Sequence, residues 1–311
     1  GFGKTQIVST GKIIGGNEVL NHTMNSDGIQ VFTEEISSDL IITASDVSGL
    51  DDGISAIHNG KGKLSIILTG DIESRSKDFS DGDDSHGISS KTYGKDLLIN
   101  SIGDILSENR GIAAYNYGTG ETIISLLGTI KANQEGITGL HVKNDPSALG
   151  IDIKVKNVLN YENAIIVNNS STGETKLTLT GQINSAKNTL NANGLVVNTK
   201  GLEAFITIEE KASISVTGQA ILTGAQNDKI YFDGKIFGDS PVSISTFSGD
   251  DFIQLGKDYF ISGLIDLGSG KDTVSFLNSS YDFDSIIYEK NVNSLSLFKG
   301  SELTKFKDAE F

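Results

Sequence analysis

Short runs of strict apolar–polar alternation recur along almost the whole chain. In Ile151-Asp152-Ile153-Lys154-Val155-Lys156 every odd position is aliphatic and every even one charged. That period of two predicts a β-strand with one buried face. Leu64, Ile66 and Leu68 share a face by the same rule, as do Leu177 with Leu179 and Ile214 with Val216. Threonine and serine take the alternate positions, the expected outer face. A slip of one residue would bury them, so the register of any stacking is strongly specified. Long runs of Ala, Glu, Lys and Leu at helical spacing do not occur.

The alternating runs belong to a repeat. Residues 111–130, GIAAYNYGTGETIISLLGTI, read as a strand, a turn at Gly118-Thr119-Gly120, a second strand and a turn at Gly128. Residues 53–72 and 162–183 are variants of the same frame. Aligned on a small residue followed by an aliphatic one, copies start at Gly28-Ile29, Gly53-Ile54, Gly87-Ile88, Gly111-Ile112, Gly136-Ile137, Ala164-Ile165 and Gly194-Leu195. The gaps are 25, 34, 24, 25, 28 and 30, the longer ones reading as the same rung with insertions. Self-similarity at such a period predicts a solenoid in which each unit touches only its neighbours. The L-x-x-L-x-L-x-x-N frame of a leucine-rich repeat is not found. The predicted fold is therefore all-β: a parallel β-helix with three short strands per rung, one domain over 1–311. About twelve rungs at ~4.8 Å would give a rod roughly 55–60 Å long. Residues 1–19 still read as strands and glycine turns, with no cap. Residues 1–223 form the regular rungs. From 224 to 311 aromatics such as Tyr231, Phe232, Phe237 and Phe252 concentrate, predicting a wider or more tightly stacked part. Residues 282–311 are expected to form final rungs or a hairpin cap.

Composition fits this reading. Hydrophobic residues make up 37% of the chain, below the ~45–50% of globular domains, which suits a thin core. There are 36 glycines and only 2 prolines, as tight turns between regular strands require. The chain has no cysteine, so stacking rather than disulfides must hold it. A formal net charge of −15 argues against nucleic acid or an anionic membrane surface as partner. It is compatible with a basic receptor patch or a divalent cation. No apolar run reaches the ~18 residues of a spanning helix. GFGKTQIVST lacks a hydrophobic signal core, so the chain is expected to be a mature or excised segment.

Candidate chemistry is sparse. The segment 71–86, DIESRSKDFSDGDDSH, carries six acidic residues and lacks strand alternation, which predicts a side loop. Within it Arg75, Lys77, Phe79, Asp81, Asp83 and Asp84 are the candidate partner-binding residues, with Phe79 as anchor and the carboxylates meeting a basic patch. Gly268-Ser269-Gly270-Lys271-Asp272-Thr273-Val274 matches half of a calcium-binding β-roll nonapeptide. Calcium needs 6–8 oxygens from several repeats. With one good copy, and Ser248-Gly249-Asp250-Asp251 a partial second, the motif reads as Gly-Asp turns. Gly238-Asp239-Ser240-Pro241 has proline where a serine protease needs a main-chain N–H, so it too reads as a turn. His22, His58, His86 and His141 have no metal-ligand spacing and are expected on turns or outer faces. No metal, cofactor or catalytic residue is assigned. A polysaccharide-active β-helix would want basic residues and aromatic platforms, yet there are two arginines, Arg75 and Arg110, and no tryptophan.

The repeated GI-x-[AS]-x-x-[NY]-G turn followed by aliphatic-Gly-x-Ile resembles bacterial type V autotransporter passenger domains. So does IDLGSGKDTVSF at 265–276. Within that class the chain is similar to the Bartonella passengers. The resemblance implies a right-handed β-helix exported through an outer-membrane translocator barrel, which this segment lacks, and then secreted. It further implies a proangiogenic virulence factor whose partner is a host endothelial receptor tyrosine kinase, the vascular endothelial growth factor receptor. The competing expectation is an adhesin for host cell surface or matrix.

Overall fold

In a computed structural model the chain winds into a β-solenoid whose parallel strands stack coil on coil. The structure describes residues 3–15, 26–75, 85–133, 138–160, 162–185, 191–277, 285–289, 294–299 and 302–307. Each coil has three sides. The first side runs through Leu40–Ala44, Leu64–Leu68 and Leu97–Ser101. The second, shorter side runs through Val47–Gly49, Ile72–Ser74 and Ile105–Ser107. The third runs through Ile54–His58, Ile88–Thr92 and Ile112–Asn116. Thr122–Ala132 and Ile151–Asn160 bend through the corner, so each supplies both first and second sides. The solenoid has about nine turns, fewer than the twelve expected. The longer gaps read as insertions within a coil, and the described strands after residue 284 pair antiparallel with one another and do not continue the three-sided coils.

Register follows aliphatic side chains. On the third side Ile29, Ile54, Ile88, Ile112, Leu140, Ile165, Leu195 and Ile221 form one inward column. All are buried, and burying an Ile or Leu contributes roughly 1.5–3 kcal/mol. The fifth member of this column corrects the sequence alignment. Gly139-Leu140 occupies it, whereas Gly136-Ile137 lies outside the described residues. Two small–aliphatic pairs stand three residues apart there. Only the second is followed by Val142 at the next inward position, which fills the space between Ala114 and Val167.

The last inward position of the third side is polar. Thr33, His58, Thr92, Asn116, Asn144, Asn169 and Thr199 stack there, all buried. The asparagines close the corner into the next coil. Asn116 Nδ2 donates to Gly120 O (3.1 Å) and its Oδ1 accepts from Gly118 N–H (2.9 Å). Asn144 Nδ2 donates to Gly150 O (2.8 Å), and Asn169 Nδ2 to Gly173 O (3.0 Å). Buried amides are tolerated because main-chain groups that leave the ladder at a corner need partners. His58 belongs to this column and faces the interior, contrary to the outer-face expectation. Its Nδ1 lies 2.7 Å from Thr33 Oγ1, and burial lowers its pKa.

Beyond residue 224 the inward residues remain mostly aliphatic: Ile230, Ile236, Ile244, Ile253, Leu255 and Ile265, with Phe232. The other described aromatics of coils 229–276 lie at least partly at the surface, among them Tyr231, Phe237 and Phe247. Alternation turns Tyr231, Phe237, Phe247, Phe252 and Phe260 toward the surface, while Tyr259 and Phe276 pack against the core. Strands Ser285–Glu289, Ser294–Lys299 and Glu302–Lys307 form an antiparallel meander. Its last strand pairs in parallel with Leu264–Asp266, and Leu297 and Phe306 are buried. The meander thus extends the third side past its last coil and covers that side's open edge.

Candidate functional site

The acidic insertion is shorter than the sequence implied. Ile72–Ser74 is a second-side strand in register with Val47–Gly49, and Asp71 is a corner residue of the same coil. Three residues with one inward aliphatic are too few to show alternation. Of the candidate residues only Arg75 is described; Lys77, Phe79, Asp81, Asp83 and Asp84 lie outside the described residues, within 76–84.

Both feet of that segment are fixed to the coil. At one, the Arg75 guanidinium reaches back along the stack. Its Nε donates to Gly49 O and its Nη2 to Gly15 O, each at 3.4 Å. At the other, Ser85 and His86 are buried. Ser85 O accepts from Ser107 Oγ (2.9 Å). Asp52 Oδ1 accepts from His86 N–H (2.7 Å) and stands 3.2 Å from His86 Nδ1. Asp52 N–H in turn donates to Asp27 Oδ1 (3.1 Å), so the clamp continues into the coil before.

Beside these feet the second side carries a shallow groove of about 670 Å³. Ser48, Glu73, Leu106, Lys131 and Leu159, in register across five coils, line its length. Asp46, Asp71 and Asp104 form its edge. Each accepts the main-chain N–H of the next coil's corner residue: Asp71 at 3.0 Å, Asp104 at 2.8 Å and Thr129 at 2.7 Å. The corner needs an acceptor, which aspartate supplies on these three coils and Asn157 Oδ1 supplies further along for Gln182 N–H (2.9 Å). Four acidic side chains against Lys12 and Lys131 leave the groove negative. This groove was not legible in the sequence, where Asp46 and Asp104 look like isolated turn residues. The repeat frame, which brings them onto one corner, was the available signal.

The glycine–aspartate turns carry a second acidic column. Ser248 and Ser269 bridge, and Gly249 and Gly270 stack with φ of 134° and 153°. A Cβ on Gly270 would stand 1.7 Å from Gly249 O, so only glycine fits. The aspartates that follow point inward. Asp228, Asp251 and Asp272 are buried, and each Oδ1 accepts an N–H from the coil before: Ala204 at 2.9 Å, Asp228 at 2.7 Å and Asp251 at 2.9 Å. Burial raises the pKa of Asp228 and pushes Asp251 up to about 7, with Asp228 and Asp272 adding like-charge repulsion at Asp251. Among the described residues no group of three or more His, Cys, Asp or Glu is arranged to hold a metal. Gly238 to Pro241 is the turn between Lys235–Gly238 and Val242–Ser245, as read from its proline.

Comparison with protein-family models, with curated proteins and with solved structures returns no match.

Proposed function

We propose that the chain is a secreted, non-enzymatic ligand that presents the acidic segment 76–84 and the neighbouring groove to a basic surface on a host receptor. The observation that carries this reading is the double anchorage of the segment. A binding element held at both ends loses less conformational freedom on association than a free one. The negative groove alongside would steer a basic partner and favour one orientation. The described corner carboxylates accept main-chain hydrogen bonds, which supports reading the acidity as structural and as surface field. The passenger resemblance adds the identity of the partner in this proposal: a vascular endothelial growth factor receptor on endothelial cells, activated when two receptors are brought together.

Replacing 77–84 by a short glycine–serine linker tests the role of the segment. Arg75 and Ser85 stay in place, so the coil keeps both feet. Receptor phosphorylation should fall at least tenfold while thermal unfolding is unchanged. Full activity in the linker variant would remove the segment from the interface.

A further inference from the structure

A glycine follows an asparagine at two places, Asn59-Gly60 and Asn193-Gly194. The winding requires both glycines. A Cβ on Gly60 would stand 2.4 Å from Ser37 O and 2.6 Å from His58 Cε1, and one on Gly194 would stand 2.4 Å from Ala220 O. Each corner therefore puts a residue without a side chain directly after an asparagine. The main-chain nitrogen that follows an asparagine can attack its side-chain carbonyl. A glycine there offers no Cβ to obstruct the approach.

The two pairs are held differently. Asn193 Oδ1 accepts from Gln219 N–H, Asn193 Nδ2 donates to Asn163 Oδ1, and Gly194 N–H donates to Gln219 O, each at 2.9 Å. The carbonyl to be attacked and the nitrogen that would attack it are both engaged. At the other pair only the flanking groups are tied, Asn59 N–H to Thr33 O (3.3 Å) and Lys61 N–H to Ser37 O (2.9 Å). Among the described residues neither the Asn59 amide nor the Gly60 N–H makes a hydrogen bond. Asn59 is half-buried and lines an open recess of about 640 Å³, so water reaches its amide. Lys61 and Lys95 against Glu35 leave this recess net positive, which favours the negative charge that develops on the attacked carbonyl oxygen.

We propose that Asn59 is a site of spontaneous deamidation. Gly60 N bonds to Asn59 Cγ and gives up its proton, the Cγ–Nδ2 bond breaks, and ammonia leaves a succinimide ring. Water then adds to either ring carbonyl and the C–N bond at that carbon breaks, which leaves aspartyl or isoaspartyl at position 59. The net change is amide and water to carboxylate and ammonium, and water is the only co-reactant. Both products set a new carboxylate in the recess with Lys61 and Lys95. The isoaspartyl product also lengthens the main chain by a methylene between the bonds to Thr33 O and Ser37 O, which tie this corner to the coil before.

The test is incubation of the full chain in mildly alkaline buffer, where the Gly60 proton is lost more readily. Digests are mapped by mass spectrometry, and isoaspartate is read by enzymatic methyl transfer. In the folded chain Asn59 should convert at least tenfold faster than Asn193, with isoaspartyl among its products. A parallel incubation in urea removes the difference in anchorage, and there the two sites should convert at similar rates. Asn59 intact after Asn193 has converted, equal rates in the folded chain, a preference for Asn59 unchanged by urea, or aspartate with no isoaspartate at position 59 would each overturn the proposal.

Discussion

Gly111→Val is expected to destabilise the solenoid by roughly 3 kcal/mol or more, with the loss spreading to adjacent coils. Gly111 stands where the second side turns into the third. A Cβ there would lie 2.1 Å from Ile130 Cγ2 and 2.6 Å from Gly139 O. Neither neighbour can retreat cheaply. Ile130 is buried and paired with Ile105 and Val158, and Gly139 O accepts the Ile112 N–H at 2.9 Å. Gly28, Gly53, Gly87 and Gly139 repeat the same close approach to a second-side Val or Ile. Ala164 occupies the next place in that column and is fully buried, so the corner accepts one methyl at that coil but not at Gly111. Denaturant unfolding followed by circular dichroism would read the effect. A midpoint equal to the parent's would mean that the corner is looser than its geometry requires.

The second large effect is a pH dependence centred on Asp251. Its folded pKa of about 7 lies above the ordinary 3.8, so the folded state holds a proton that the unfolded state has released. Stability from this group is therefore fully present below pH 3.8 and is lost as pH rises toward 7. Two histidines act in the opposite sense. The lowered pKa values of His58 and His141 add stability as pH rises through the acid range up to about 6.5. The Asp251 contribution is thus read most cleanly as a difference between parent and Asp251→Asn. Asparagine keeps an oxygen to accept the Asp228 N–H and cannot ionise. Thr246, whose hydroxyl donates to Leu267 O at 2.9 Å, also meets the Asp251 carboxyl and offsets only part of the rise that burial causes. Between pH 5 and pH 8 the parent should lose about 2–3 kcal/mol relative to the variant. Parallel stability curves would show that Asp251 is ionised in the folded protein throughout.

Local pattern carried the fold class and most of the core. Ile151, Ile153 and Val155 face inward and Asp152, Lys154 and Lys156 outward, as alternation requires. What local pattern could not carry is contact between residues 21 to 35 positions apart. The choice between Gly136-Ile137 and Gly139-Leu140 depends on which pair continues a column set by Ile112 and Ile165. The burial of Asn116, Asn144 and Asn169 depends on corners that their own strands do not contain. His58 is inward for the same reason: its column is polar from Thr33 through Thr199. Aromatic residues after 224 looked like core because they are large, but alternation turns Tyr231, Phe237, Phe247, Phe252 and Phe260 toward the surface, while Phe232 is buried and Tyr259 and Phe276 pack on the core. The candidate site was the least legible part. Its groove is assembled from Asp46, Asp71 and Asp104, one from each of three coils, and its anchorage from Arg75 reaching 60 residues back to Gly15.

The functional account rests on receptor engagement by the soluble chain. The direct measurement is receptor tyrosine phosphorylation in endothelial cells exposed to the purified chain, with and without an inhibitor of the vascular endothelial growth factor receptor kinase. The expected result is a dose-dependent signal that the inhibitor abolishes. Absence of a signal, together with cell attachment to the immobilised chain, would contradict the ligand reading and leave an adhesive rod in its place.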